Sequence, residues 1–352
     1  MLTSKQIDEV REHLNKAGNP VFYFDNDADG LCSFLLLSRF IGRGKGVAVR
    51  SYPNLDKGYA RKAQELGADY VFVLDKPVLS EEFVGAIAEM NLPMVWIDHH
   101  DVDNKDYSKI HENFFVYNPA KNNGKDKSSE PVTYLSYKIS ERKEDMWIAV
   151  MGCIADHYMP DFADDFGKKN SELWGKVKEP FDAYFGTEIG KIAQALNFGL
   201  KDSITNVVKM QNFLLKCNSP SEVLEEVKEN ILFRKKYFEL KKKYDSLLEE
   251  AEEKLDGKIL FFDYGGESSM SAQLSNELSY RHKNAYVVVA YRNGGVVNIS
   301  IRGKNVKKIL GNVLNGFEGA SGGGHEDAVG ARVKTEDLKR FEETFREEIG
   351  KK

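Results

Sequence analysis

Three short apolar runs near the start of the chain each end on an aspartate: Val21–Asp25 (VFYFD), Tyr70–Asp75 (YVFVLD) and Met94–Asp98 (MVWID). The third continues directly into His99 and His100. Each run is rich in β-branched and aromatic residues and has no helical period, which is the pattern of a buried strand. Helical stretches separate the runs, so the strands are expected to lie parallel in one α/β sheet. Ligands of such sheets sit at the carboxyl ends of the strands. At least three carboxylates and two imidazoles should therefore meet along one sheet edge. Carboxylates crowded in this way repel one another unless cations neutralise them, and the pattern predicts a metal site.

The 352 residues suffice for two domains or one large one. The net charge of −5 does not announce a nucleic-acid binder, although a carboxylate-rich metal site would itself add negative charge. Cys32, Cys153 and Cys217 form no CxxC pair, so neither a zinc ribbon nor a disulfide framework is expected. Buried thiols in a reducing cytoplasm are the simpler reading. The start, MLTSKQIDEVREHL, reads as an amphipathic helix rather than a signal peptide. No apolar run approaches membrane-spanning length, so a soluble, cytoplasmic protein without a membrane partner is expected.

Strand and helix patterns alternate to about Asn118, and a polar loop (AKNNGKDKSSE) follows. A helix is predicted from about Glu130 to Arg142, and another from near Asp145 toward Asp156. Residues 161–217 read as a helical extension without recognisable chemistry. Residues 218–256 read as a charged linker helix whose lysine-rich part, Arg234–Tyr244, is a solvated face. A smaller α/β domain over 257–352 contains the predicted strand Val296–Ile301 and a loop, Gly319–His325. The expected boundaries are thus 1–217, 218–256 and 257–352.

Asp25, Asp27 and Asp29 alternate directly after the first strand. They suit either a turn capping the next helix or a metal loop, with Gly30 permitting close backbone approach. Asp75 alone reads as a strand-end turn residue. Asp98-His99-His100 is more specific, because carboxylate and neutral imidazole together suit manganese, zinc, iron or cobalt better than calcium. Asp156 closes the apolar stretch AVMGCIAD, and His157 beside it reads as structural or supporting. His13, His111 and His282 sit in surface-like contexts and receive no role. Gly322-Gly323-Gly324-His325 can cradle an anion with backbone N–H groups, and Arg302 can add a bidentate phosphate contact.

Taken in order, DNDADG at 25–30, Asp75, DHH at 98–100, Asp156 after GCIA and GGGH at 322–325 resemble the DHH phosphoesterase superfamily. The DxDxDG form resembles its RecJ-like nuclease branch, in the compact archaeal-type version without an extra OB-fold domain. In nano-RNases and adenosine bisphosphate phosphatases the motif begins with an earlier histidine, where this chain has Tyr23 or Phe24. The resemblance implies an α/β fold: a parallel-sheet DHH domain with a helical extension, a linker helix, and a DHH-associated C-terminal domain.

It also implies phosphodiester hydrolysis by two divalent cations, manganese foremost, with magnesium or cobalt as alternatives. Asp75 would bridge them, with Asp25 and Asp27 nearer one, and Asp29, His99 and Asp156 nearer the other. Asp98 would orient a histidine, read here as His99, and His100 would contact substrate. Arg302 and Gly322, Gly323, Gly324 and His325 would bind the terminal phosphate as the C-terminal domain closes the cleft. The implied substrate is single-stranded DNA or RNA, and the partners are replication or repair proteins. Short oligonucleotides, adenosine bisphosphate or a cyclic dinucleotide are the alternative substrates. A non-catalytic replication scaffold is the third reading, disfavoured because every expected acidic and histidine position is filled.

Overall fold

The computed structural model describes residues 1–51, 53–102, 107–123 and 127–351. Positions 124–126 of the predicted polar loop lie outside the described residues. The chain forms two units, Met1–Tyr237 and Phe238–Lys352.

The first unit carries β1 (Pro20–Asp25), β2 (Lys45–Val49), β3 (Asn54–Leu55), β4 (Tyr70–Leu74), β5 (Val78–Leu79), β6 (Met94–Ile97) and β7 (Phe114–Tyr117). Its helices are α1 (Ser4–Lys16), α2 (Ala28–Ile41), α3 (Ala60–Glu65), α4 (Glu81–Glu89), α5 (Val132–Ser140) and α6 (Met146–Ala155). The helical extension follows as α7 (Ala163–Lys169), α8 (Ser171–Trp174), α9 (Pro180–Gly186), α10 (Glu188–Gly199), α11 (Ile204–Leu214) and α12 (Pro220–Leu224).

Five strands form one sheet in the order β2-β1-β4-β6-β7, and every neighbouring pair is parallel. The three apolar runs supply its middle. Their hydrophobicity is continuous because helices cover both faces. On one face Phe22 and Phe24 pack against Phe34 of α2. On the other, Tyr23, Val71, Val73 and Trp96 share a core with Phe83 of α4 and Ala63 of α3. The sequence reading passed over β7, a four-residue edge strand with three partly or fully exposed positions, which leaves only a weak apolar signature.

Two expectations about histidine are corrected. His13 and His111 are buried, His13 bonding Tyr70 Oη at 2.5 Å and His111 bonding the Leu92 carbonyl at 2.8 Å. His282 is ion-paired with Glu252. All three cysteines are buried and free.

The long charged helix, α13 (Ile231–Glu252), begins later than the sequence suggests. Before it, Pro220 starts α12, and the buried Asn230 amide donates to the carbonyls of Val223 and Glu225, fixing a turn. Phe233, Tyr237, Leu240, Tyr244, Leu248 and Ala251 form a buried stripe at helical spacing, so one face of α13 is core, while Lys235, Lys242 and Lys243 lie exposed on the other. The boundary between the units falls within this helix.

The second unit holds β8 (Leu255–Asp256), β9 (Ile259–Gly265), β10 (Tyr286–Asn293), β11 (Val296–Arg302), β12 (Ser321–Gly324) and β13 (Ala328–Lys334). They form one sheet in the order β12-β13-β11-β10-β9-β8, in which only β9 and β10 run parallel. Helices α14 (Ser271–Arg281), α15 (Val306–Leu314) and α16 (Leu338–Gly350) complete it, and α15 and α16 share the core of the sheet through Ile309, Leu310, Phe341 and Phe345. The predicted Gly319–His325 loop is corrected in part: Ser321–Gly324 is an edge strand paired with β13. A Cβ on Gly322 would lie 2.9 Å from the Gly330 carbonyl oxygen, so lack of a side chain, rather than flexibility, is what this position requires. No helix among the described residues is long and apolar enough to cross a membrane.

Candidate metal centre

Register brings the strand ends level. Phe24 pairs with Leu74, and Leu74 pairs with Ile97, so Asp25, Asp75 and Asp98 each follow one row of partners. The β1–α2 turn then folds back tightly. A Cβ on Gly30 would lie 2.5 Å from the Asp25 carbonyl oxygen, so only glycine fits there.

Asp27 caps α2, its Oδ1 accepting from Gly30 N at 3.0 Å. The capping and metal readings of this loop are thus compatible, because one oxygen suffices for the cap. Asp29 is buried and accepts from the backbone N–H of Val132 (2.9 Å) and Thr133 (2.7 Å) at the start of α5. A helix N-terminus favours a carboxylate there. Asp75 is 3% exposed and sits in the left-handed region at φ 58°. Its buried Oδ1 has no hydrogen-bond partner among the described residues.

The two histidines are held differently. His99 Nδ1 donates to the Ser129 carbonyl at 3.2 Å, which leaves Nε2 bare and 3.4 Å from Asp75 Oδ1. Fixing one ring nitrogen on a carbonyl so that the other faces inward is how metal-binding histidines are oriented. His100 Nδ1 donates to Asp98 Oδ1 at 2.8 Å. Asp98 is fully buried, and its Oδ2 accepts from His100 N and from Asn118 Nδ2, each at 3.3 Å. The expectation that Asp98 supports His99 is therefore corrected. Its carboxylate lies along the His100 ring edge, while a backbone carbonyl takes its place for His99.

Among the described residues, three donor groups have ligand atoms within 4.8 Å of one another: Asp25, Asp27 and Asp75; Asp29, His99 and Asp156; and Asp75, His99 and His100. All six expected ligands are brought together. Asp75 and His99 belong to two groups each. His157 stays outside them and stacks on Phe181.

Electrostatics matches the geometry. Burial first, and then neighbouring carboxylates, push Asp27 and Asp75 well above the ordinary carboxylate range. Asp156 is pushed up to about 7, first by desolvation and then by Asp29, with His99 and His100 acting in the opposite direction. Burial alone would depress His99, but Asp29, Asp156 and Asp98 hold it above its usual value.

Only one of the five ligand carboxylates pairs with a lysine or arginine among the described residues. Lys76, fully buried, donates to Asp25 Oδ1 and to the Ser51 carbonyl, both at 2.9 Å. Sequence reasoning missed Lys76, although a lysine directly after a strand-end aspartate was the available signal. It also missed Asn118, whose buried amide bonds Asp98 and the His100 carbonyl and carries no distinguishing pattern.

The remaining predicted residues lie in the second unit. Arg302 ends β11 level with Ala328, and His325 N donates to the Ala328 carbonyl, so Arg302 and the glycine strand share one end of that sheet. Burial lowers the Arg302 guanidinium to about 10, and its Nε donates to Asn276 Oδ1 at 2.6 Å.

Residues 256–351 match the family model of the DHHA1 domain. No curated protein sequence matches the chain. RecJ of Thermus thermophilus in complex with Mn2+ superposes over 97% of this chain and 53% of its own, with a TM-score of 0.66 and 14% identity. An exonuclease RecJ bound to manganese superposes over 98% of this chain and 94% of that one, with a TM-score of 0.62 and 14% identity. CDC45 from Entamoeba histolytica superposes over 98% of each chain, with a TM-score of 0.53 and 13% identity. The chain thus spans about half the length of the Thermus protein. At these identities the likeness is one of fold.

Proposed function

We propose that this chain, with its RecJ-like DHH fold and DHHA1 domain, is a metal-dependent phosphodiesterase acting on single-stranded DNA or RNA from an end. The observation that carries the proposal is the pair of donor triads at the strand ends, with Asp75 supplying a buried oxygen that no described protein group satisfies. Charge supports the same reading. Asp25, Asp27, Asp29, Asp75 and Asp156 carry −5 when ionised and Lys76 carries +1, which leaves −4, the charge that two divalent cations offset.

Asp25, Asp27 and Asp75 would hold one cation, and Asp29, His99 and Asp156 the other. When bound, the cations would supply positive charge to the phosphate and acidify a water. Oxygen and nitrogen donors fit manganese, and admit magnesium or cobalt.

The chain's own groups do the rest. Lys76 donates to Asp25 Oδ1 and fixes its orientation. Asp98 accepts the Nδ1 proton of His100 and so leaves His100 Nε2 directed outward to a phosphate oxygen or the leaving group. Water adds to phosphorus and gives one proton to the free Nε2 of His100, the bond to the departing sugar oxygen breaks, and His100 passes that proton to the leaving oxygen. Arg302 and Gly322–His325 bind substrate phosphate in the second unit.

End-labelled single-stranded DNA and RNA 20-mers and a dinucleotide, each with Mn2+, Mg2+, Co2+ or EDTA, test the proposal. Metal-dependent stepwise shortening of a 20-mer is expected. Cleavage of the dinucleotide alone would replace the polymer reading with an oligonucleotide one. Absence of hydrolysis of any substrate with all three metals would overturn it.

A further inference from the structure

At the far edge of the first sheet, a cavity of about 610 Å³ opens beside β2. It is lined by residues from both faces of this strand. Val47 packs with the α3 side of the sheet, whereas Gly46 approaches Phe34 and Gln211 on the other. A space bounded from both faces runs around the strand's free edge. The edge is the floor, Tyr59 and Leu66 flank one wall, and α11 forms the other.

Four observations bear on its occupant. β2 has a neighbour on one side only, so alternate N–H and C=O groups of residues 45–49 point away from β1. None of these groups makes another hydrogen bond among the described residues. The α11 wall continues outward as Ile204, 68% exposed, and Val208, 41% exposed. Gln211, 2% exposed, lines the cavity with a buried Nε2 that has no acceptor among the described residues. The lining carries three cations, Lys45, Arg50 and Lys62, against one carboxylate, Asp56, which accepts from Gly58 N; Lys62 pairs with Glu65, whereas Lys45 and Arg50 donate to backbone carbonyls and pair with no carboxylate among the described residues.

We propose that this cleft binds an extended peptide segment of a partner protein, with alternating apolar side chains and acidic flanks, as a sixth strand on β2. A row of outward backbone donors and acceptors between apolar walls matches strand addition, in which the main chain supplies affinity and alternate side chains fill the walls. The acidic flanks of the added strand would meet Lys45 and Arg50.

The probe is a panel of short fluorescein-labelled peptides with Val, Ile or Phe at alternate positions and Glu at both ends, titrated into the full chain by anisotropy. At least one member is expected to saturate and to slow amide exchange over residues 45–49. N-methylation of its alternate amides should weaken it about tenfold or more, since two or three ladder bonds are lost. Val208→Glu, at an exposed position, should weaken it similarly while leaving Mn2+-induced thermal stabilisation unchanged. Equal binding of the N-methylated peptide would make the cleft a side-chain or small-molecule pocket and overturn the proposal. So would a panel with no binder, or indifference to Val208→Glu. A concentration-dependent dimer abolished by that substitution would make a second copy the occupant and equally overturn it.

Discussion

Asp75→Asn separates the electrostatic role of this carboxylate from its structural one. The native backbone at position 75 is left-handed, φ 58°, and asparagine tolerates that region as aspartate does. Alanine there gives up about 1 kcal/mol to strain. The native carboxylate is buried among Asp29, Asp27, Asp25 and Asp156 and accepts no hydrogen bond at Oδ1 from the described residues. Without metal at pH 8, the asparagine variant should therefore be at least as stable as the native protein, and the alanine variant about 1 kcal/mol below it.

With metal the order reverses. At a concentration a hundredfold above the dissociation constant, native protein gains about 2.7 kcal/mol. For a unit of this size that is a shift of roughly 5–10 °C. The asparagine variant, lacking the charge shared by two donor groups, should shift by less than about 2 °C. Trp96, Trp147 and Trp174 all lie in the first unit, so tryptophan fluorescence melting in EDTA and in Mn2+ reports on it selectively. An asparagine variant markedly less stable than native without metal, or one retaining the full Mn2+ shift, would refute the reasoning.

The raised carboxylates also set a pH dependence. Asp156 at about 7, with Asp27 and Asp75 raised as well, keeps protons in the folded state that the unfolded chain has already released. Their stability contribution is present below about pH 4 and is lost as pH rises through 7, so metal-free protein should weaken over that window and Mn2+ should reverse the trend. Chemical denaturation at stepped pH checks this, and a flat metal-free profile would count against it. Gly30→Ala places a Cβ on the Asp25 carbonyl, with no flexible neighbour to yield; a loss of about 1–3 kcal/mol in urea and weaker Mn2+ binding are expected. Lys76→Met removes the buried cation from Asp25, and a cost of about 3 kcal/mol by urea denaturation is expected, with a loss under about 1 kcal/mol excluding the pair as a structural element. His100→Ala should lower kcat by about 10²–10⁴ while retaining the Mn2+ melting shift, whereas His99→Ala should lose the shift.

The middle of the first sheet was legible because strands buried on both faces must be apolar throughout, and Val21–Asp25, Tyr70–Asp75 and Met94–Asp98 leave no helical alternative. β7 was not, because an edge strand of four residues buries too little to mark itself. The extent of the charged helix was misread because Asn230, bonding back to the carbonyls of Val223 and Glu225, holds a turn directly before Ile231, and the charged composition on either side of that turn is alike. Ser321–Gly324 looked like a loop because glycine favours loops. Here the next strand's carbonyl, at Gly330, leaves no room for a side chain, and pairing follows from that close approach.

At the candidate metal centre, the sequence named residues that the structure brings together, but not their hydrogen-bond partners. Asp98 precedes both histidines in sequence, so proximity along the chain could not say which one it holds. The answer depends on chain direction after β6. There His100 turns its Nδ1 onto the buried carboxylate, and Ser129, thirty residues on, closes over His99 Nδ1. That division leaves the two bare Nε2 atoms in different settings. His99 Nε2 faces the unpartnered Asp75 oxygen and is suited to bind a cation. His100 is about one-third exposed, and with its Nδ1 held by the Asp98 carboxylate its Nε2 is open to relay a proton between water and a leaving oxygen. Adjacent, identical side chains thus acquire opposite roles through the acceptor behind each ring, a carbonyl in one case and a carboxylate in the other. Exchanging those acceptors, rather than the histidines themselves, is what would interchange their roles.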